Sequence, residues 1–281
     1  MPFEQINGLK VYYEIHGDGG EKGTIVLLHH GFGCTQIWKV IYPRLVENGY
    51  RVIAYDRRGF GRSEGGEDFM AFYVSERYRP ESVVELAALM EFLGIDSFHI
   101  VGQCEGGVVG VDYAVKYPDQ VRTLVTSSTQ CYSNAPMTEV NKDVFPKSFK
   151  DLDPELQGKL IDWHGGFAES FYTQFREYGG AYGKGFFDLR TELPEVICPA
   201  LVLYPDRSSI FDVEQGVAFY RHLPRGELAV FPYCGHNTYE YRPEDYVRFV
   251  LDFLVRHEQS AGISPSEREE FNFTCIAVRK K

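Results

Sequence analysis

The sequence predicts an α/β protein: a mostly parallel eight-stranded sheet with helices on both faces and an inserted helical cap. Three observations carry this. Short β-rich apolar runs alternate with longer amphipathic stretches, the rhythm of a parallel sheet covered on both sides. The first two runs are instead separated only by Asn7-Gly8, a dipeptide that adopts the positive φ angles of a two-residue hairpin turn. The rhythm then breaks between Thr129 and Pro194, a stretch dense in aromatics and glycine with no clear strand.

Taken in order, Phe3 to Ile6 and Leu9 to Ile15 form the opening hairpin, and "TIVLLHH" from Thr24 to His30 is the first internal strand. "TQIWKVIYPRLVENG" reads as a helix, "RVIAYD" as a strand, and "PESVVELAALMEFLG" as an amphipathic helix. The next round is the strand "SFHIVG", a helix from about Gly106 to Tyr117 stopped by Pro118, and the strand "VRTLVTSS". After the break come "PALVLYPD", a helix near Val213 to His222, the strand "GELAVFP", and an amphipathic helix near Pro243 to His257. This gives a core domain from residues 1-128 and 195-258, a helical cap from 129-194, and an extension at 259-281 in which "FNFTCIAV" suits one further strand.

Bulk properties exclude several classes. With 281 residues and 44% hydrophobic content, the chain is long enough for a sizeable core without disulfide staples. The formal charge of -11 and the lack of a Lys/Arg run before the closing "VRKK" argue against nucleic-acid binding. No apolar run reaches the roughly 20 residues that span a bilayer, so a soluble, cytoplasmic protein without membrane association is expected. Six cysteines without CxxC spacing indicate neither a zinc ribbon nor a redox pair, and no cofactor or metal is expected. A small-molecule acyl compound is the expected partner, and a homodimer is compatible with the sequence.

The chemistry concentrates in "HIVGQCEGGVVG", His99 to Gly110. Cys104 stands between a strand and a helix, with Gly102 and Gly106 two residues to either side. A turn this sharp leaves no room for flanking side chains, holds the central side chain up toward a pocket, and aims helix N-terminal N–H groups at it. The five-residue pattern alone is a modest signal, and its strand-to-helix setting strengthens it.

"LLHHGFG", "YDRRGFGRSE", "VGQCEGG" and "YCGHN", in this order, resemble the α/β-hydrolase superfamily over Leu9 to His257, least closely in the cap. Most members carry serine at the turn; cysteine there is similar to the dienelactone hydrolases and the polyhydroxyalkanoate synthases. The resemblance implies that Cys104 is the nucleophile and His236 the general base. It also implies that the backbone N–H groups of Phe32 and Glu105 form an oxyanion hole, with His29 and His30 shaping the loop. An imidazole within hydrogen-bond reach generates the thiolate, the reactive form of cysteine.

The family's third member is an acid closing a Gly-Asp-Arg-Asp-like stretch, and here that stretch is "PDRSS", with Ser208 in the carboxylate's place. Asp206 is the acid expected to orient His236, Asp212 is the next candidate, and a Cys104–His236 dyad oriented by Ser208 or a water is the third arrangement. The Glu105 carboxylate would oppose thiolate formation if it faced the nucleophile. The other cysteines read as free thiols; Cys198, next to a strand, reads as a packing residue, as does Cys234, whose closeness to His236 in sequence leaves a redox role open.

The cap's aromatic residues, among them Trp163, Phe171, Tyr172, Phe175 and Tyr182, suit a small apolar or aromatic acyl group. The expected activity is hydrolysis of an ester, thioester or lactone through a cysteinyl acyl-enzyme. Acyl transfer through the same thioester is the nearest alternative, and ligand binding without turnover is the alternative from a different class.

Overall fold

The protein is described by a computed structural model covering residues 3–18, 21–178 and 185–260. The strand expected in "FNFTCIAV", with Cys275, and Tyr182 of the cap lie outside these residues.

Eight strands, β1 (Phe3–Ile6), β2 (Leu9–His16), β3 (Thr24–Leu28), β4 (Arg51–Asp56), β5 (Phe98–Gln103), β6 (Val121–Ser127), β7 (Ala200–Pro205) and β8 (Gly226–Phe231), form one sheet in the order β1-β2-β4-β3-β5-β6-β7-β8. The β1–β2 and β2–β4 pairs are antiparallel and the rest parallel. The hairpin turns on Asn7 (φ 51) and Gly8 (φ 81), as the Asn-Gly pair demands.

Ten helices accompany the strands among the described residues: α1 (Tyr42–Glu47), α2 (Phe69–Tyr73), α3 (Tyr78–Phe92), α4 (Glu105–Lys116), α5 (Met137–Val144), α6 (Pro154–His164), α7 (Ala168–Tyr178), α8 (Glu214–His222), α9 (Thr238–Tyr241) and α10 (Pro243–Ser260). The single helix expected over "TQIWKVIYPRLVENG" is instead a short 3₁₀ turn at Thr35–Trp38 followed by α1. Pro43 explains the break, because it has no N–H to continue a helix and is at home in the first turn of a new one.

Successive side chains on a strand point to opposite faces, and both faces are covered. On β3, Val26 and Leu28 join Leu86, Leu89, Val108 and Val111 of α3 and α4 in one core. Ile25 and Leu27 join Leu45 of α1 and Val250, Phe253 and Leu254 of α10 in the other. Because β4 lies on one side of β3 and β5 on the other, the chain leaves the sheet in opposite directions there. The crevice outside the carboxyl ends of β3 and β5 is where such sheets hold ligands.

Helices α5 to α7 occupy the stretch between β6 and β7, where the strand pairing among the described residues is an isolated bridge, Tyr132 to Asp188. Phe171 and Phe175 of α7 pack with Phe60, Phe69, Tyr73 and Tyr78 of the core. Among the described residues, no helix is long and apolar enough to cross a membrane, and no cluster of His, Cys, Asp and Glu is arranged to hold a metal ion.

Candidate active site

The turn between β5 and α4 explains the glycines of "GQCEGG". Cys104 sits at φ 51, ψ -114, a conformation that costs an L-residue energy and persists only where the surroundings impose it. Its N–H donates to the carbonyl of Ser127 at 2.7 Å, and its own carbonyl accepts the N–H of Gly107 at 2.9 Å. A Cβ on Gly102 would stand 2.5 Å from the carbonyl oxygen of Gly106, and one on Gly106 would overlap the carbonyl of Leu28. One on Gly107 would overlap the hydroxyl of Thr129. A side chain at Gly102 would push β5 and α4 apart, one at Gly106 would push α4 off the end of β3, and one at Gly107 would push it off Thr129 beyond β6.

The turn lifts Cys104 into a cavity of about 410 Å³ that His236 also lines. Val144, Phe145, Leu156, Leu160, Trp163 and Phe175, all from the segment between β6 and β7, supply its apolar wall. Arg207, Ser209 and Asn237, from the loops after β7 and β8, bring polar groups to it. The thiols of Cys34, Cys131 and Cys198 are buried and pushed up to about 12 by loss of solvation, and burial also raises that of Cys234. None of these four lines the cavity.

His236 lies between β8 and α9. Its carbonyl accepts from Ser128 Oγ at 2.6 Å and Gln103 Nε2 at 3.1 Å, which ties the loop to the ends of β6 and β5. Burial pushes its imidazole down to about 4, so the ring is neutral at neutral pH.

The orienting acid needs correction. Asp206 does not reach His236: its Oδ1 accepts the N–H of Cys234 at 3.0 Å. The backbone fixes this, because Asp206 N–H pairs with Phe231 O and Arg207 N–H with Cys234 O, so the chain leaving β7 remains stitched to the end of β8. The residue turned toward the ring is Ser208, with Oγ 3.2 Å from His236 Nδ1. Asp212 accepts the N–H of Glu214 at 2.9 Å, at the start of α8.

The two expected oxyanion donors stand differently. Glu105 N–H, the first of α4, has no acceptor among the described residues. Phe32 N–H donates to His30 Nδ1 at 3.2 Å. His30 therefore carries its proton on Nε2, 3.1 Å from Tyr239 OH, and burial keeps the ring neutral. His29 is also buried and neutral, its Nδ1 2.8 Å from His30 O and its Nε2 accepting the N–H of Arg57.

The side chain of Glu105 is buried behind the turn, 1% exposed, and pairs with Arg57, equally buried, at 2.9 Å. Tyr78 and Tyr73 donate to its two oxygens at 2.7 and 3.1 Å. The carboxylate expected to oppose a thiolate is thus compensated by a guanidinium. Sequence reasoning missed Arg57, although the arginine directly after the apolar strand in "YDRRGFGRSE" was its signal. It also missed His164 of α6, which accepts the N–H of Gly61 at 3.1 Å and donates to the carbonyl of Phe32 at 3.0 Å. Nothing in the local sequence marks His164.

Known proteins share this architecture. The sequence model of the alpha/beta hydrolase fold matches residues 23–154. A proline iminopeptidase of Lactobacillus helveticus is 36% identical over 92% of this chain and 98% of its own length. A 2-hydroxy-6-oxononadienedioate/2-hydroxy-6-oxononatrienedioate hydrolase of Burkholderia vietnamiensis is 28% identical over 88% of this chain and 92% of its own. Among solved structures, the enol-lactonase from Burkholderia xenovorans LB400 superposes with a TM-score of 0.72 at 21% identity, over 90% of this chain and all of that one, a likeness of fold.

Proposed function

We propose, because this chain belongs to the alpha/beta hydrolase fold family, that it hydrolyses a small apolar or aromatic ester, thioester or lactone through an acyl-thioester on Cys104. The observation that carries the reading is the placing of Cys104. It is held at positive φ on the β5–α4 turn, faces the same cavity as His236, and is followed by the backbone N–H of Glu105, which has no acceptor among the described residues.

The steps follow from these groups. Cys104 Sγ attacks the substrate carbonyl as its proton passes to His236, which burial keeps neutral and able to accept it. The resulting oxyanion takes the N–H of Glu105 and that of Phe32, the latter exchanging its bond to His30 for a stronger one to charged oxygen. His236 returns the proton to the leaving oxygen or sulfur, and water then cleaves the acyl-thioester. Helices α5 to α7 act as a cap whose apolar wall receives the acyl group. A neighbour of like fold named as an enol-lactonase supports the lactone among these substrates; the relatives named as a 6-oxononadienedioate hydrolase and as an iminopeptidase bear other substrates in their names.

A second reading, ligand binding without turnover, is favoured by the lack of a carboxylate at His236 Nδ1 among the described residues. Intact-protein mass spectrometry with aryl and alkyl esters, thioesters and lactones, comparing the parent with Cys104→Ala, separates the two. An acyl mass on the parent alone supports the hydrolase, and saturable binding with no adduct supports the binder. Added amine, thiol or alcohol acceptors that divert the acyl group identify a transferase.

A further inference from the structure

The hydroxyl standing where a carboxylate is expected makes three contacts that together fix a proton. Ser208 Oγ accepts the backbone N–H of Ile210 and of Phe211, each at 3.1 Å, and lies 3.2 Å from His236 Nδ1. A hydroxyl oxygen has two acceptor lone pairs and one O–H. Backbone donors of the local turn occupy both lone pairs, which leaves the O–H for the ring. A ring nitrogen that receives an O–H is the unprotonated one, so the proton of the neutral imidazole is on Nε2.

From these contacts we infer that Ser208 is a positioning residue that holds resting His236 as the neutral Nε2–H tautomer, the opposite of what a carboxylate in its place imposes. The tautomer stands on geometry alone, while its catalytic meaning rests on reading Cys104 and His236 as the reacting pair. An imidazolium needs protons on both nitrogens, and an Nδ1–H would meet a hydroxyl that already accepts two bonds. In this tautomer the ring's one acceptor, Nδ1, is filled by the Ser208 O–H, so Cys104 rests as a thiol, and the ring takes up the thiol proton in the proposed hydrolysis only after its own proton shifts from Nε2 to Nδ1 as the Ser208 hydroxyl turns away.

The charged groups around the site among the described residues do not reverse this. His30, across the cavity, is neutral. Glu105, behind Cys104, is paired with Arg57. Lys159 of α6 is paired with Glu240 at 2.8 Å. Arg207, next to Ser208, is a cation 3.9 Å from Asp206, whose carboxylate is engaged by Cys234.

Long-range proton–nitrogen spectra of the full chain labelled with [15N]histidine report the tautomer directly, with the His236 signals assigned by their loss in His236→Gln. An unprotonated Nδ1 and a protonated Nε2 at neutral pH are expected; the reverse pattern overturns the inference. Ser208→Asp is expected to invert the tautomer. It should also lower the pH midpoint of iodoacetamide alkylation, read on the Cys104 peptide, by at least about one unit, or about tenfold faster labelling at neutral pH. An unshifted midpoint in a folded Ser208→Asp variant counts against the inference. Ser208→Thr keeps the hydroxyl and is expected to keep the parent tautomer and midpoint, and loss of the tautomer there overturns it independently of the aspartate variant. A parent with the Nε2–H pattern but no acyl adduct supports this inference while overturning the proposed hydrolysis.

Discussion

The two sides of Cys104 are furnished in opposite ways. On the oxyanion side a full carboxylate, that of Glu105, is buried and answered by Arg57, Tyr73 and Tyr78. On the side of the proposed base, the partner of His236 Nδ1 among the described residues is the hydroxyl of Ser208. Among the described residues no carboxylate stands at His236 Nδ1, while a compensated carboxylate lies beside the proposed oxyanion donor. The contrast suits a thiol, whose ordinary pKa of about 8.5 demands less help from a base than a serine hydroxyl does.

The largest expected effect removes the atom both sides face. Cys104→Ala should abolish the acyl adduct and turnover while leaving thermal stability near that of the parent, and residual turnover with an adduct elsewhere would relocate the nucleophile. Next comes the braced side: Arg57→Met strands the Glu105 carboxylate without its cation. Denaturant unfolding should show a loss of about 3–5 kcal/mol, the cost of breaking a buried pair from one end. Adding Glu105→Gln to Arg57→Met should recover part of that loss, and no recovery would mean that Arg57 acts through packing alone.

The unbraced side has its own signature in pH. Burial lowers the pKa of His236 from 6.5 to about 4, so the unfolded chain takes up a proton on acidification before the folded one does. The stabilisation is complete above pH 6.5 and is lost as pH falls from 6.5 toward 4. It amounts to on the order of 2 kcal/mol once partial exposure is allowed for. His236→Gln should show a correspondingly shallower fall of unfolding free energy over that window, and identical slopes would mean that the ring is solvated. The smallest effect is expected at Asp206, which touches a turn and not the base. Asp206→Asn should change kcat/KM by less than about threefold, whereas a loss of two orders of magnitude would reinstate it as the orienting acid.

Much of this was legible in the sequence because it follows from local rules. Strand alternation, the Asn7-Gly8 turn and the glycines around Cys104 each answer to the backbone over a few residues, and the sheet, hairpin and elbow stand where those rules put them. Asp206 was misjudged because the deciding interactions come from the end of β8, distant in sequence. Arg57 and His164 were missed for the same reason: each earns its role from a partner brought near by tertiary packing, Glu105 for one and Phe32 for the other. The split of "TQIWKVIYPRLVENG" had a local signal in Pro43, which the apolar periodicity of the stretch masked.

His164 deserves a mechanical reading. It belongs to α6, on the roof of the cavity, yet its two ring nitrogens grip the backbone of Gly61 and Phe32 below. Any movement of α6 away from the sheet gives up the carbonyl of Phe32, the residue whose N–H is the proposed oxyanion donor. On the proposed reading, one imidazole latches the roof and steadies the donor beneath it.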